Sequence, residues 1–447
     1  MAPHKSGLRA TPCRYVLVMA ALLAYVGSSY FFSTMYKDGP PLSNRTPPHK
    51  MPNRSFSGKH GEEICDIKQN FMFVKVHKAG STTTTCIFQR FGYEHNLTFV
   101  LPIIKSDVGW PNFMKQGDFI PSADGTYNVL VDHTVYHRQL LDHLMPPDTV
   151  YISILRHPLA QLRSVFNWYH LAKKLHVFKG PDPVASFLEN PAISHTSSPF
   201  THTKNFMAYD LGFPLGLSDD QSSVDEFIQK ISKEIDLVLI LEHFPESLVL
   251  LRRMMCWTLK DILYNDVPKN LRNYLKPTTT NTTALIHMHR QWSNVDYQLY
   301  DYFNATLWRK IQEEDQDFHQ EVRHFEKVLQ STTSYCSDSI IKLPMNAVNE
   351  TTKRKDSREK NEAKKKAVLT WATGVLTIPR TAWHNEFDID PSLCLKLKME
   401  WHDWTHVIKK KHKMPANVSA AVRSAIEYPK PKILDKNLMI KLFHIKM

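Results

Sequence analysis

The chain is 447 residues long and carries 56 lysines and arginines against 44 aspartates and glutamates, a formal net charge of +12. This length gives room for one large domain or two ordinary ones, each with its own hydrophobic core. The six cysteines include no Cys-x-x-Cys pair, which argues against a zinc site and against a dithiol redox motif.

An apolar segment near the start predicts a membrane anchor. Residues 15–32 form a charge-free, mostly apolar run of 18 residues, about the minimum for crossing a bilayer. Lys5, Arg9 and Arg14 precede it, so the positive-inside rule leaves residues 1–14 in the cytosol and the rest in the lumen. The alternative is a cleaved signal peptide, which the long apolar core and the missing Ala-x-Ala exit disfavour.

Other features agree with a lumenal body. Seven Asn-x-Ser/Thr sequons are typical of a glycosylated protein of the secretory pathway, and they begin at Asn44, Asn53, Asn96, Asn281, Asn304, Asn349 and Asn417. A lumenal body does not meet nucleic acid, so we expect no nucleic-acid partner. The basic charge instead fits an anionic nucleotide or anionic glycans.

The lumenal cysteines number five, so at least one is unpaired within the chain or pairs with another chain. Cys86 and Cys256 lie in apolar patterns, which predicts buried core thiols. Cys65, Cys336 and Cys394 are the better disulfide candidates, and their pairing is left open.

Composition divides the lumenal part into four segments. Residues 33–69 are rich in proline and polar side chains and predict a flexible stem. Residues 70–345 form the main body, and residues 346–366 form a basic linker. The stretch 353–366 has eight basic and three acidic residues, which favours a solvated linker over a binding surface. Residues 367–447 are a C-terminal extension to which the sequence assigns no role.

Within the body, β-prone runs alternate with amphipathic helical patterns. The predicted strands are Asn128–Val131, Thr149–Leu155 and Ile235–Leu241. The predicted helices are Pro158–Leu171, Val224–Ser232 and Pro245–Met255. Alternation of this kind predicts an α/β fold, with a mainly parallel sheet and helices on both faces.

The stretch FMFVKVHKAGSTTTTCIF predicts an anion-binding turn. A strand over Phe71–Val76 ends at the turn 77–80, and a helix begins near Ser81 or Thr82. The free N–H groups of a helix start, small residues, a lysine and several hydroxyls together suit a phosphate group. The Walker pattern G-x-x-x-x-G-K-[ST] is absent. The alternative is an ordinary strand–turn–helix with Ser/Thr capping.

A second turn of the same kind follows in TVYISILRHPLAQLRSVFNWYH. Arg156 comes at the carboxyl end of a buried strand, Pro158 suits the first helical turn, and Ser164 lies about two helical turns further on. A guanidinium at a strand end matches a phosphate, and ligands of open α/β sheets bind at these ends. Two such turns predict a nucleotide with phosphate groups at both ends.

The motif KVHKAGSTTTT resembles the 5′-phosphosulfate loop of Golgi carbohydrate sulfotransferases, and ILRHPLAQLRSVF resembles their 3′-phosphate motif. The resemblance is closest to the galactose-3-O-sulfotransferase family. The segments DHTVYH, NFMAYDLGF, LVLILEHFPESLVLLRRMMCWTLKDILY and YDYFNATLWRK extend it over about 65–336. It implies a P-loop-like sulfotransferase fold preceded by a single transmembrane helix.

The resemblance implies that 3′-phosphoadenosine 5′-phosphosulfate is the sulfate donor. The residues that would bind its 5′-phosphosulfate are Lys78, Ala79, Gly80, Ser81, Thr82 and Thr83. Arg156 and Ser164 would bind its 3′-phosphate, and His133 would be the general base. The chain has Arg-His-Pro where relatives often have Arg-Asp-Pro, so His157 is left out of the donor site.

The chemistry of sulfuryl transfer requires the same groups. A sugar hydroxyl is a weak nucleophile, so a base such as His133 must take its proton. Charge grows on the bridging oxygen of the donor, where Lys78 can stabilise it. We find no carboxylate cluster suited to Mg²⁺ and expect no metal ion.

Several nearby residues are rivals or bystanders. His137 lies four residues after the proposed base, and His77 flanks the lysine. Glu242 and Glu246 follow a strand end, where we favour capping of the next helix over contact with substrate. We interpret the local aromatic cluster as core: Phe166, Trp168 and Tyr169.

These features predict a single-pass type II protein of the Golgi membrane that transfers sulfate to the 3-hydroxyl of a β-galactosyl residue. The acceptor is a galactose-terminated glycolipid or glycoprotein glycan, and a homo-oligomer is compatible with the sequence. The alternatives are a glycosaminoglycan sulfotransferase of the uronyl 2-O type, a kinase-like P-loop enzyme, and a non-catalytic relative that binds glycan or nucleotide.

Overall fold

The computed structural model describes residues 65–104, 107–177, 182–194, 200–266, 282–339, 374–431 and 443. The predicted cytosolic tail, membrane anchor and basic linker lie outside these residues, so the domain boundaries stay predictions. All described residues fall in one unit, Met51–Met447. In the ranges that are described, each helix is too short or too polar to span a bilayer.

The centre of the fold is a four-stranded parallel sheet. Its strands are β1 (Phe71–Val74), β2 (Val129–Leu130), β3 (Val150–Leu155) and β4 (Leu237–Ile240), in the order β2-β1-β3-β4. Their side chains are almost entirely buried. Parallel strands are covered on both faces, which is why these runs are continuously apolar rather than alternating.

The helices of the body are α1 (Ser81–Glu94), α2 (Arg138–Asp142), α3 (Pro158–Trp168), α4 (Leu171–Lys174), α5 (Pro183–Leu188), α6 (Phe206–Asp210), α7 (Gln221–Glu234), α8 (Phe244–Met255), α9 (Thr282–Trp292), α10 (Asn294–Gln312) and α11 (Phe318–Ser339). The predicted alternation of strands and helices is confirmed, and each predicted element appears with shifted ends. The strand expected over 71–76 stops at Val74 because the chain turns there towards Gly80.

The strand order places a switch point between β1 and β3. The chain leaves β1 towards β2 on one side, whereas it leaves β3 towards β4 on the other. Crossovers between parallel strands are almost always right-handed, so the reversal sends the connecting helices to opposite faces of the sheet. Ligands of such sheets bind at the carboxyl ends of the two strands that diverge, which are β1 and β3 in this protein.

Two disulfides tie distant parts of the chain together. Cys65 pairs with Cys256, and Cys336 pairs with Cys394. The prediction of a buried thiol at Cys256 is therefore wrong. The apolar pattern reflects α8, whereas Cys256 ends that helix in a left-handed conformation beside the incoming N-terminal segment. Cys86 remains outside both disulfides and packs against the core, but it is partly buried rather than buried as predicted.

The C-terminal part of the chain packs on the body. It contains an antiparallel hairpin, β5 (Leu376–Ile378) and β6 (Phe387–Ile389), followed by α12 (Pro391–Lys398), α13 (Trp401–Lys411) and α14 (Ala420–Ala425). Helix α13 lies against α1, where Trp404 is fully buried and Gln89 Nε2 donates to Thr405 Oγ1 at 3.0 Å. This segment thereby covers the helix that begins at the predicted anion-binding turn.

Candidate functional site

The first predicted anion-binding turn lies at the carboxyl end of β1. Gly80 precedes α1 with φ +83°, and a Cβ there would come within 2.5 Å of Leu241 Cδ1. Positive φ favours glycine, so the residue fixes the turn. No side chain of the described residues caps α1, and Thr83 N–H donates to the backbone oxygen of Gly80 at 3.2 Å, so the N–H groups that precede it are the ones placed to meet an anion. Ser81 is buried in this turn, Thr82 is exposed and Thr83 is partly exposed.

The second predicted turn meets the first at the switch point. Arg156 follows β3 and donates from Nη1 to the backbone oxygen of Lys78 at 3.3 Å. Burial, followed by repulsion from Arg156, lowers the pKa of Lys78 to about 8. Neither side chain forms an ion pair with a carboxylate in the described part of the chain. Two adjacent cations without a counter-ion produce a local positive potential that suits a polyanion.

Ser164 lies on α3, about 9 Å along the helix axis from Pro158 at 1.5 Å per residue. Its side chain is almost entirely buried. The structure thus places Ser164 on the helix that starts beside Arg156. Its role towards a 3′-phosphate stays a prediction.

His133 follows β2 and lies on the other side of the β1 turn. Its Nδ1 is 3.0 Å from the backbone oxygen of Lys75, which can only accept a hydrogen bond. Nδ1 must therefore carry the proton, and in the neutral ring Nε2 keeps its lone pair. This is the tautomer that a general base needs.

The charge state of His133 follows from its surroundings. Burial lowers the pKa of His133 well below its usual value, and the nearby His77 and Lys75 lower it further. The ring is therefore neutral near pH 7 in the absence of ligand. An anion bound at the adjacent turn would favour the charged form of the ring and raise the pKa of His133 towards the range in which a base works best.

His77 is held by a carboxylate that sequence reasoning missed. Its Nδ1 is 2.9 Å from Asp210 Oδ2, and its backbone N–H donates to the same oxygen at 2.7 Å. Trp110 Nε1 donates to Asp210 Oδ1 at 3.0 Å. The ring of His77 stacks on that of His133, with centroids 3.9 Å apart and planes 15° apart.

Asp210 therefore fixes a ring that in turn packs on the proposed base. The residue lies in the segment NFMAYDLGF, which the sequence marks only as part of the family resemblance. Asp210 stands at the end of α6, and its partner His77 is 133 residues earlier in the chain. No local periodicity could reveal a contact of that separation.

The rival histidine faces elsewhere. His137 precedes α2 and packs edge-on against Phe113, with ring centroids 4.9 Å apart. Burial and then Lys230 lower the pKa of His137. Its charged neighbour is thus a lysine of α7 rather than Lys75 or Lys78, which favours His133 as the base.

Two sequence interpretations need correction. Glu242 accepts from the backbone N–H of His157 at 3.0 Å and from Tyr300 Oη at 3.3 Å, so it supports the start of α3. The helix that follows it, α8, has no side-chain cap within the described residues. Phe166 is core as predicted, whereas Trp168 is 62% exposed and lies against Lys78.

The C-terminal segment approaches the site from the side. The ring centroid of Trp401, at the start of α13, lies 5.3 Å from the ammonium of Lys75. Lys75 is the residue whose backbone oxygen bonds His133. Among the described residues, no group of three or more His, Cys, Asp and Glu side chains is arranged to hold a metal ion.

The sequence is similar to those of known sulfotransferases. A sequence model described as galactose-3-O-sulfotransferase matches residues 10–364. Galactosylceramide sulfotransferase from Homo sapiens is 31% identical over 262 residues, which are 57% of this chain and 60% of that protein. Galactose-3-O-sulfotransferase 3 from Mus musculus is 36% identical over 248 residues, 54% of this chain and 56% of that protein.

Galactose-3-O-sulfotransferase 2 from Homo sapiens is 32% identical over 253 residues, 55% of this chain and 62% of that protein. The chain thus spans about three fifths of the length of the curated relatives that it matches. The family match covers most of the 447 residues, and the resemblance seen in the sequence is confirmed. The protein belongs to the galactose-3-O-sulfotransferase family.

Proposed function

We propose that the protein transfers the sulfuryl group of 3′-phosphoadenosine 5′-phosphosulfate to the 3-hydroxyl of a β-galactosyl residue. The observation that carries the proposal is the convergence of Lys78, Arg156 and His133 at the carboxyl edge of three adjacent strands. The two cations suit a donor with phosphate groups at both ends, and the histidine suits a hydroxyl acceptor.

The residues at the two turns fit this donor. The uncapped start of α1 and the ammonium of Lys78 would bind the 5′-phosphosulfate, together with the hydroxyls of Ser81, Thr82 and Thr83. Arg156 and Ser164 would bind the 3′-phosphate. The two positive charges at the switch point lack a counter-ion from the described residues, and the donor would supply one.

The reaction needs one proton transfer and one in-line displacement. The acceptor O3 forms a bond to sulfur as the bond from sulfur to the bridging oxygen breaks. His133 Nε2 takes the hydroxyl proton, and Lys78 stabilises the charge that develops on the leaving phosphate. The products are the 3-O-sulfated galactoside and adenosine 3′,5′-bisphosphate, so atoms and charge balance.

The names of the relatives support the acceptor. They are sulfotransferases of galactosylceramide and of galactose 3-hydroxyls. We therefore assign a galactose-terminated glycolipid or glycoprotein glycan as acceptor class. The apolar run at 15–32 and the sequons support a type II protein of the Golgi membrane with a lumenal catalytic domain.

The proposal is tested by transfer of labelled sulfate. The full chain in detergent is incubated with labelled donor and galactosylceramide, lactosylceramide, N-acetyllactosamine or a uronic-acid glycan. We expect product with at least one galactoside, and a rate at least about a hundredfold lower from His133→Ala. Transfer only to the uronic-acid glycan, or donor-product binding without transfer to any acceptor, would refute the proposed activity.

A further inference from the structure

An exposed tryptophan lies beside the proposed donor lysine. Trp168 is the last residue of α3, and 62% of its surface is accessible to solvent. The ammonium of Lys78 lies over its indole ring, 3.9 Å from the ring centroid. Packing does not explain this large exposed side chain, because Val165 and Phe166 form the buried face of the helix.

One face of this indole is occupied by the lysine. A separation of 3.9 Å is close to van der Waals contact, so no second ring fits between Lys78 and Trp168 on that face. The same ammonium is assigned to the 5′-phosphosulfate in the proposed reaction. An ammonium centred on the indole can turn only part of its three N–H donors towards a phosphosulfate, so full contact with the donor favours its departure from the ring.

We expect Lys78 to interact more strongly with the donor than with the indole. A cation–π contact at an exposed site corresponds to about two- to fivefold in an equilibrium constant. Charge-assisted hydrogen bonds to a phosphate are stronger, and repulsion from Arg156 already disfavours the charge of Lys78 in the empty site. Binding of the anionic donor would therefore draw Lys78 off the ring and uncover it.

We propose that Trp168 is the stacking platform for the acceptor galactose and that Lys78 covers it until the donor binds. This inference rests on the proposed function. The C–H groups on one face of a galactopyranose form an apolar patch that packs on an aromatic ring. Lys78 marks the sulfuryl end of the donor, so a ring in contact with it lies where the acceptor hydroxyl must arrive.

The arrangement predicts an order of addition. The donor binds first and the galactoside second, because the face of the indole towards the donor turn is covered by Lys78 in the free enzyme. A platform for the adenine ring is the competing role for Trp168. The two roles predict opposite changes in nucleotide affinity when the indole is removed. Nucleotide binding should become stronger if Trp168 holds Lys78 away from the donor. It should become weaker if the indole stacks on adenine.

The test uses Trp168→Ala and Trp168→Phe in the full chain. The matched control is Tyr428→Ala, which removes another partly exposed aromatic ring with a lysine 4.6 Å from its centroid. The Kd of adenosine 3′,5′-bisphosphate is measured by calorimetry, and the KM of N-acetyllactosamine by sulfate transfer. Folding is checked by thermal unfolding of each variant.

For Trp168→Ala we expect about two- to fivefold tighter nucleotide binding and an acceptor KM raised about two- to tenfold. Trp168→Phe keeps a ring and should restore most of the acceptor KM, and Tyr428→Ala should change neither value. Weaker nucleotide binding, or an unchanged acceptor KM, in folded Trp168→Ala would overturn the inference alone. Absence of transfer by the wild-type chain to galactosylceramide, lactosylceramide and N-acetyllactosamine alike would overturn the proposed function as well.

Discussion

The pH dependence of donor use should follow the charge of Lys78. Burial, with Arg156 as the second cause, lowers the pKa of Lys78 from 10.5 to about 8. Lys78 binds the donor only in its charged form, which is populated below that pKa. We therefore predict that kcat/KM for the donor falls as the pH rises through about 8.

Replacement of Arg156 should move this fall in kcat/KM, the alkaline limb of the pH profile, to higher pH. In Arg156→Gln the repulsion between the two cations is gone, while the burial of Lys78 stays. The pKa of Lys78 is lowered by about 2.5 pH units in total, and burial is the larger cause, so repulsion accounts for less than half. We expect the limb to rise by at most about one pH unit. The donor KM should rise at every pH, because a phosphate contact is lost.

The assay is kcat/KM for the donor between pH 5 and 10 at fixed ionic strength, since this parameter reports ionisations of the free enzyme. Lys78→Arg is the matched control, because a guanidinium keeps its charge throughout the range and should abolish the alkaline limb. An alkaline limb that stays in place in Arg156→Gln, or that persists in Lys78→Arg, would refute the reasoning.

Three further predictions concern the histidines and the turn. His133→Ala should lower kcat by about 10²–10⁴ and leave the Kd of adenosine 3′,5′-bisphosphate nearly unchanged, whereas His137→Ala should affect neither strongly. Asp210→Asn should destabilise the fold by about 1–3 kcal/mol in denaturant unfolding, since a buried N–H donor loses its acceptor, and should lower kcat by misplacing His77. Gly80→Ala forces a Cβ into positive φ at a cost of about 1–2 kcal/mol and should weaken nucleotide binding in calorimetry.

Each of these has a contradicting outcome. Equal loss of kcat in the two alanine variants would remove His133 from the role of sole base. Unchanged stability and kcat in Asp210→Asn would show that the carboxylate does not hold His77. Wild-type nucleotide affinity in Gly80→Ala would mean that the backbone of the turn does not contact the donor.

The sequence predicted best the features that depend on short, local residue patterns. Continuous apolar runs located the strands, and the single glycine after Lys78 located the turn into α1. Both predicted turns follow strands of one parallel sheet, so they lie at the same edge of that sheet. The hydrogen bond from Arg156 to the backbone of Lys78 is a detail that the sequence did not predict.

The features that sequence missed depend on tertiary contacts. Asp210 reaches His77 across 133 residues, and nothing in its own segment signals that partner. Trp168 ends an apolar helical pattern, so the sequence predicted that it is buried. In the structure it lies at the end of the helix, outside the buried face that Val165 and Phe166 form. Cys256 likewise lies in an apolar run, and only the path of the N-terminal segment brings Cys65 to it.

The central claim is that the turn after β1 and the turn after β3 bind the two phosphate ends of one nucleotide. It is tested most directly by calorimetric titration of the full chain with adenosine 3′,5′-bisphosphate and, in parallel, with adenosine 5′-monophosphate. The account predicts one site per chain and weaker binding of the monophosphate, which lacks the group assigned to Arg156 and Ser164. No heat with the bisphosphate, or equal affinity for the two nucleotides, would contradict it.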